Sequence, residues 1–107
     1  MSTKMLVYIR PLAGKESTFN DWYNNTHLKE VVAVDGFMSA QRYELTKAQQ
    51  MSDQDYKYLA VYELKNEDVA RTIENLLAAS GTMNMGDSAD LDSAKVSIFT
   101  SITEVVV

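Results

Sequence analysis

The feature that most constrains this chain is the order in which its hydrophobic period changes. Residues 4–10 (KMLVYIR) alternate with period two and are rich in β-formers, and Pro11 closes the run. Residues 15–34 then switch to a helical period. Phe19, Trp22, Tyr23, His27, Val31 and Val34 fall on one broad face, Glu16 lies in the first turn, and Gly36 follows as a stop. Strand patterns return over 37–46 and 56–64, separated by a polar stretch, 47–55. Asn66 is the expected cap of a second helix, with Glu67 and Asp68 in its first turn. Val69, Ile73, Leu76 and Leu77 make its buried stripe, and Gly81 ends it. Residues 82–94 lack a period and read as a mobile loop over a cleft; 95–104 form the last strand, with Val105–Val107 as an extension.

The order is therefore β-α-β-β-α-β, the split βαβ unit. Right-handed crossovers leave one economical arrangement, a four-stranded antiparallel sheet with two helices on one face. With 107 residues the chain is expected to be one domain, 1–107. The strands carry apolar residues on both faces. Met5, Val7 and Ile9 oppose Leu6 and Tyr8, while Tyr56, Tyr58, Tyr62 and Leu64 oppose Leu59 and Val61. Helices cover one face only, so the other calls for a cover, and an identical sheet in a homodimer is the simplest one. A monomer with a partly exposed, tyrosine-rich face is the alternative.

Composition removes several classes of function. There is no cysteine, hence no disulfide framework and no thiolate zinc site. The net charge of -5 comes from scattered residues, and no Lys/Arg cluster exists to follow a nucleic-acid backbone. No apolar run approaches a membrane span and residues 1–10 do not form a signal peptide, so a cytoplasmic location is expected. Asp87, Asp90 and Asp92 cluster beside Gly86 but lack calcium-loop spacing, and no metal site or cofactor is expected.

The residue best placed for chemistry is His27, the only histidine. Four residues after Tyr23 and eight after Phe19, it shares their helix face, and an imidazole there can accept and return a proton near neutral pH. The plain alternative is a core histidine satisfied by a hydroxyl or carbonyl. Trp22, Tyr23 and Phe19 are candidate walls for a small hydrophobic ligand, or simply core. Tyr43 is a candidate donor to a ligand oxygen. Arg42 and Glu44 read as a solvated or interfacial pair.

Gly14-Lys15-Glu16, Phe19, Trp22-Tyr23, His27, Val34-Asp35-Gly36-Phe37 and Arg42-Tyr43, with the later strand Tyr58–Leu64, together resemble the EthD-like branch of the dimeric α/β-barrel superfamily. The usual pattern there is a strand, Pro, a G-x-E turn, F-x-x-W-Y-x-x-x-H, then P-G-F and R-Y. Asp35 replaces the frequent Pro. The resemblance implies a ferredoxin-like subunit whose sheets pair into a dimeric barrel, with a cleft between helices and sheet. It implies that His27 and Tyr43 face the ligand, as in muconolactone-isomerase-like relatives, whose second histidine has no counterpart here. Three functions follow. The first is a cofactor-independent enzyme of isomerase, cyclase or dehydratase type, acting by proton transfer on a hydrophobic carbonyl or phenolic ligand. The second is a small-molecule-binding or accessory protein without turnover. The third is a monooxygenase of the same superfamily.

Overall fold

The computed structural model describes residues 1–107. Strand β1 (Thr3–Pro11) leads through Gly14 into α1 (Glu16–Trp22), a π-helical turn (Tyr23–His27) and α2 (Leu28–Val32). Strands β2 (Phe37–Glu44) and β3 (Tyr58–Leu64) follow, then α3 (Val69–Ser80) and β4 (Ala89–Thr100). The sheet order is β2-β3-β1-β4, and every neighbouring pair is antiparallel. This is the four-stranded ferredoxin-like arrangement expected from the order of periods. No helix is long and apolar enough to cross a membrane.

Alternation decides which face of the sheet takes the helices. Met5, Ile9, Tyr58, Ala60, Tyr62 and Leu64 are buried beneath them with Phe19, Tyr23 and Val31 from the first helical segment. On the outer face Leu6, Tyr8, Leu59 and Val61 are only half-buried, while Tyr43 and Phe99 are exposed. The chain thus has a part-apolar face that its own helices do not cover.

Five local expectations are corrected. Asp68, not Asn66, caps α3: its carboxylate accepts the Arg71 amide at 3.0 Å. The helix therefore has no acidic first turn, and Asn66 instead accepts the Thr3 hydroxyl at 2.8 Å and donates to the Met1 carbonyl. Leu77 lies outside the buried stripe, at 69 % exposure, whereas Thr72 is the buried residue of α3. Strand β4 begins at Ala89 rather than 95 and stops at Thr100; Ala89 and Asp90 already pair with Pro11 and Arg10, a bulge follows, and the valine tail is exposed. Its early part is hard to read because it is an edge strand beside a bulge, with polar side chains completing the ladder. Ser93 Oγ accepts the Arg10 amide at 2.9 Å and donates to the Asp90 carbonyl at 2.7 Å. Tyr56 precedes β3 and leaves its alternation. It packs on Tyr8 and Arg10 on the outer face and donates to the Ser93 carbonyl at 2.6 Å. Arg42 is not paired with Glu44 on a solvated face; it reaches under the helix to Asn24 and Asn20, at 2.7 and 3.0 Å.

Candidate functional site

The middle of the first helical segment widens by one residue per turn, so that the Leu28 amide bonds to the Tyr23 carbonyl. In a regular α-helix residues five apart point about 140° away from each other. The π turn narrows that divergence and lays the Trp22 indole on the His27 imidazole, with ring centroids 4.7 Å apart and planes 19° from parallel. Tyr23 meets the same imidazole edge-on at 5.1 Å. Trp22, Tyr23 and His27 therefore form one aromatic cluster.

The cluster faces a cleft of about 250 Å³ between helices and sheet. Sheet residues Met5, Val7, Ile9, Tyr62 and Val96 form its floor; Val31, Leu76, Met83 and Met85 form its walls and roof. Fourteen of its sixteen lining residues are hydrophobic, and the two exceptions are His27 and Ser80. Ser80 is already committed, donating to the Leu77 carbonyl at 2.8 Å. Leu77, Leu91 and Val96 line the cleft yet are each more than half exposed, which gives it a greasy rim. A larger groove between α2 and α3, about 580 Å³, is lined by a mixture of polar and small residues and contains no aromatic group.

His27 is the one lining residue with free proton chemistry. Its side chain is 14 % exposed. Nδ1 is enclosed with no hydrogen-bond partner and stands 3.8 Å from Glu30 Oε1, itself enclosed and unpartnered. No residue bonds to Nε2, which is not enclosed, so it is the nitrogen a cleft ligand can reach. Burial holds the imidazole below its ordinary titration range, and the nearby Glu30 carboxylate only partly opposes this. The ring is thus neutral at neutral pH, the form that accepts a proton. The Tyr23 and Tyr62 hydroxyls are 3.1 Å apart, and burial pushes both phenols upward, so they remain hydrogen-bonding groups rather than acids.

The residues singled out in the sequence divide here. Trp22, Tyr23 and His27 are together on the cleft. Phe19 is fully buried and does not reach it; it backs Trp22 and Tyr23 at 6.1 and 5.7 Å. Tyr43 is not in the site at all. It pairs across the sheet with Leu59, whose side chain lies on the outer face, and its hydroxyl donates to Gln41 at 2.8 Å. Strand parity is the reason, since the neighbouring Arg42 takes the inward position opposite Ala60. Arg42 sits 4.5 Å over the Tyr23 ring and so braces the cluster from behind.

Glu30, Asn84, Met83 and Met85 belong to the site but carried no motif. Glu30 stands three residues after His27, a helical spacing that could have flagged it. The strap of residues 82–88 carries no such signal; Trp22 Nε1 donates to its Asn84 carbonyl at 2.6 Å, and Glu30 Oε2 accepts the Asn84 amide at 2.8 Å.

The profile of a domain of unknown function, DUF4286, matches residues 13–105, which includes every residue of the aromatic cluster. The chain belongs to the DUF4286 family. Solved structures of the same subunit fold include a protein provisionally named a monooxygenase from Shewanella loihica PV-4, with a TM-score of 0.59 and 15 % identity. That match covers 97 % of this chain and 99 % of the other. A single-residue mutant of SnoaB, a cofactor-independent oxygenase from Streptomyces nogalater, matches with a TM-score of 0.56 and 13 % identity, over 97 % and 96 %. An EthD-family protein from Bacillus halodurans C-125 matches with a TM-score of 0.54 and 10 % identity, over 95 % and 100 %. At such identities the likeness speaks for the fold. It accords with the ferredoxin-like order of elements, four antiparallel strands with helices on one face. Among curated proteins, none matches the chain.

Proposed function

We propose that the chain is a cofactor-independent enzyme that binds a flat hydrophobic carbonyl or phenolic molecule in the cleft and moves a proton with His27. The observation that carries this reading is the lining itself: apolar but for Ser80, whose hydroxyl is already bonded, and one imidazole whose Nε2 is unclaimed. Such a cleft draws in an apolar ligand and leaves the imidazole as the only basic group to meet it. Nε2 takes the proton from a carbon next to a carbonyl, or from a phenol, leaving an enolate or phenolate beside an imidazolium. Return of that proton to a different atom completes an isomerisation; loss of a hydroxide, leaving as water with the proton, completes a dehydration. Tyr43 is dropped from this chemistry, and Phe19 supports the wall without touching the ligand.

The fold relatives named as oxygenases favour a second outcome from the same first step, in which the substrate anion itself reduces dioxygen. In the protein as it works, the outer face of the sheet, with Leu6, Tyr8, Leu59, Val61 and Phe99, packs on a second copy as a homodimer.

The test uses 2-tetralone, a bicyclic ketone with acidic α-protons, in deuterated buffer at neutral pD. Proton NMR should show the wild-type chain accelerating α-hydrogen exchange. His27→Asn should bind the ketone but lose ~10²–10⁴ of that acceleration, the usual scale of general acid–base catalysis. Oxygen uptake with 1-naphthol separates the oxygenase outcome. Failure of both compounds to alter the emission of Trp22, the only tryptophan, would overturn the reading of the cleft as a ligand site.

A further inference from the structure

Glu30 is the only carboxylate near the imidazole, and its two oxygens do different things. Oε2 is spent on the strap, accepting the Asn84 amide at 2.8 Å. Oε1 is enclosed and has no donor, and 3.8 Å away lies His27 Nδ1, equally enclosed and equally without a partner. Enclosed polar atoms are costly when unpaired. Here each is the other's nearest remedy, and a small rotation of either side chain closes the gap. Only one tautomer permits the bond: Oε1 accepts, so Nδ1 must carry the hydrogen and Nε2 the lone pair.

The same carboxylate acts on the roof. The Asn84 peptide is held from both sides, its amide by Glu30 and its carbonyl by the Trp22 indole at 2.6 Å. Gly86 turns the strap at φ +63, a conformation that favours glycine, and the strap runs at van der Waals distance from the Trp22 ring, 3.5 Å from the position a Cβ would take. Met83 and Met85, on either side of Asn84, line the cleft. Both clamps on Asn84 therefore come from residues that also touch the imidazole.

We propose that Glu30 is a positioning residue that sets the His27 tautomer through Oε1 and latches the Met83–Met85 roof of the cleft through Oε2. Its value to proton transfer rests on the function proposed above: it leaves Nε2 bare toward the ligand and ties the orientation of the base to a closed roof. A ligand that lifts the strap competes for the carboxylate that holds the histidine.

One histidine and one tryptophan make the test unambiguous in the ¹⁵N-labelled full chain. Long-range ¹H–¹⁵N correlation at pH 7.5 reads the His27 tautomer, and hydrogen exchange of the Trp22 indole N–H reads the latch. Wild-type protein should show a protonated Nδ1, a bare Nε2 and a protected indole. Glu30→Gln keeps a carbonyl for Asn84 but can also offer an amide to Nδ1, so the tautomer should become mixed while the indole stays protected. Glu30→Ala should lose both, with indole exchange faster by about tenfold or more, the scale of losing a hydrogen bond to a charged group. A wild-type ring protonated on Nε2, or variants that leave tautomer and exchange unchanged, would overturn the proposal. Glu30→Gln preserves the side chain's shape, so the tautomer readout survives even if Glu30→Ala folds poorly. Neither readout needs a ligand, so the result is separable from that with 2-tetralone.

Discussion

Replacing Gly36 by alanine should be among the most damaging single-methyl additions this chain can suffer. Gly36 sits between α2 and β2 at φ +103, in a region that side chains avoid. A Cβ there would lie 2.0 Å from Thr72 Oγ1, 2.7 Å from its Cγ2 and 2.8 Å from its Cβ. Thr72 cannot yield easily, because it is 3 % exposed and is the buried residue of α3. The turn cannot yield easily either: the Gly36 carbonyl accepts the Lys65 amide at 2.9 Å, and the Asp35 carbonyl accepts from Asn75 at 3.1 Å. Backbone strain at positive φ costs roughly 1–2 kcal/mol, and forcing an extra methyl into packed structure about 1–3 kcal/mol. A total of roughly 2–5 kcal/mol is a large part of the ~5–15 kcal/mol that holds a domain together. Gly14→Ala is the control, since Gly14 also has positive φ, +77, but nothing within 4 Å of its Cβ position. It carries the strain, and the same loss of unfolded-chain freedom, without the collision. Urea unfolding followed by circular dichroism should place Gly36→Ala below Gly14→Ala by about 1–3 kcal/mol. Equal stability of the two variants would refute the claim that α3 is seated against this turn. The cleft should feel the change as well, because Leu76 lies one helical turn beyond Thr72 and forms part of its wall.

Because burial lowers the His27 pKa, the unfolded chain binds that proton more readily, so stability should fall as pH drops from about 6.5 through the lower folded value. His27→Asn should flatten that part of a stability-versus-pH curve, and an unchanged slope would contradict the buried neutral ring. Arg42→Met keeps an apolar stem but removes the fork to Asn20 and Asn24 and the cation over Tyr23. Thermal unfolding should report a loss of about 1–3 kcal/mol, and no loss would make Arg42 a surface residue after all. Sedimentation at micromolar concentration should give twice the chain mass of 12.0 kDa, since covering the outer face takes an interface of about 800 Å² per partner. A monodisperse monomer would contradict the homodimer.

The order of elements and the two faces of the strands were legible in the residues, because period two and period 3.6 are local properties that burial imposes on any such chain. Alternation over Met5–Ile9 and Tyr58–Leu64 sorted the strand side chains onto two faces, the fold decided which face lies beneath the helices, and the helical face placed Tyr23 and His27 together. Other features depend on partners distant in sequence. Tyr43 and Arg42 are adjacent, and only the register of β2 against β3 decided that the arginine turns inward and the tyrosine outward. The stacking of Trp22 on His27 needed a π turn, which no hydrophobic spacing announces. Strand β4 begins six residues before its pattern does, because an edge beside a bulge is completed by Ser93 rather than by apolar alternation. Glu30 and Asn84 are 54 residues apart, and both are polar residues that the sequence alone would leave in solvent. Folding closes that distance: the helix carries the carboxylate, the strap brings the amide, and the cleft exists only once both lie over the sheet.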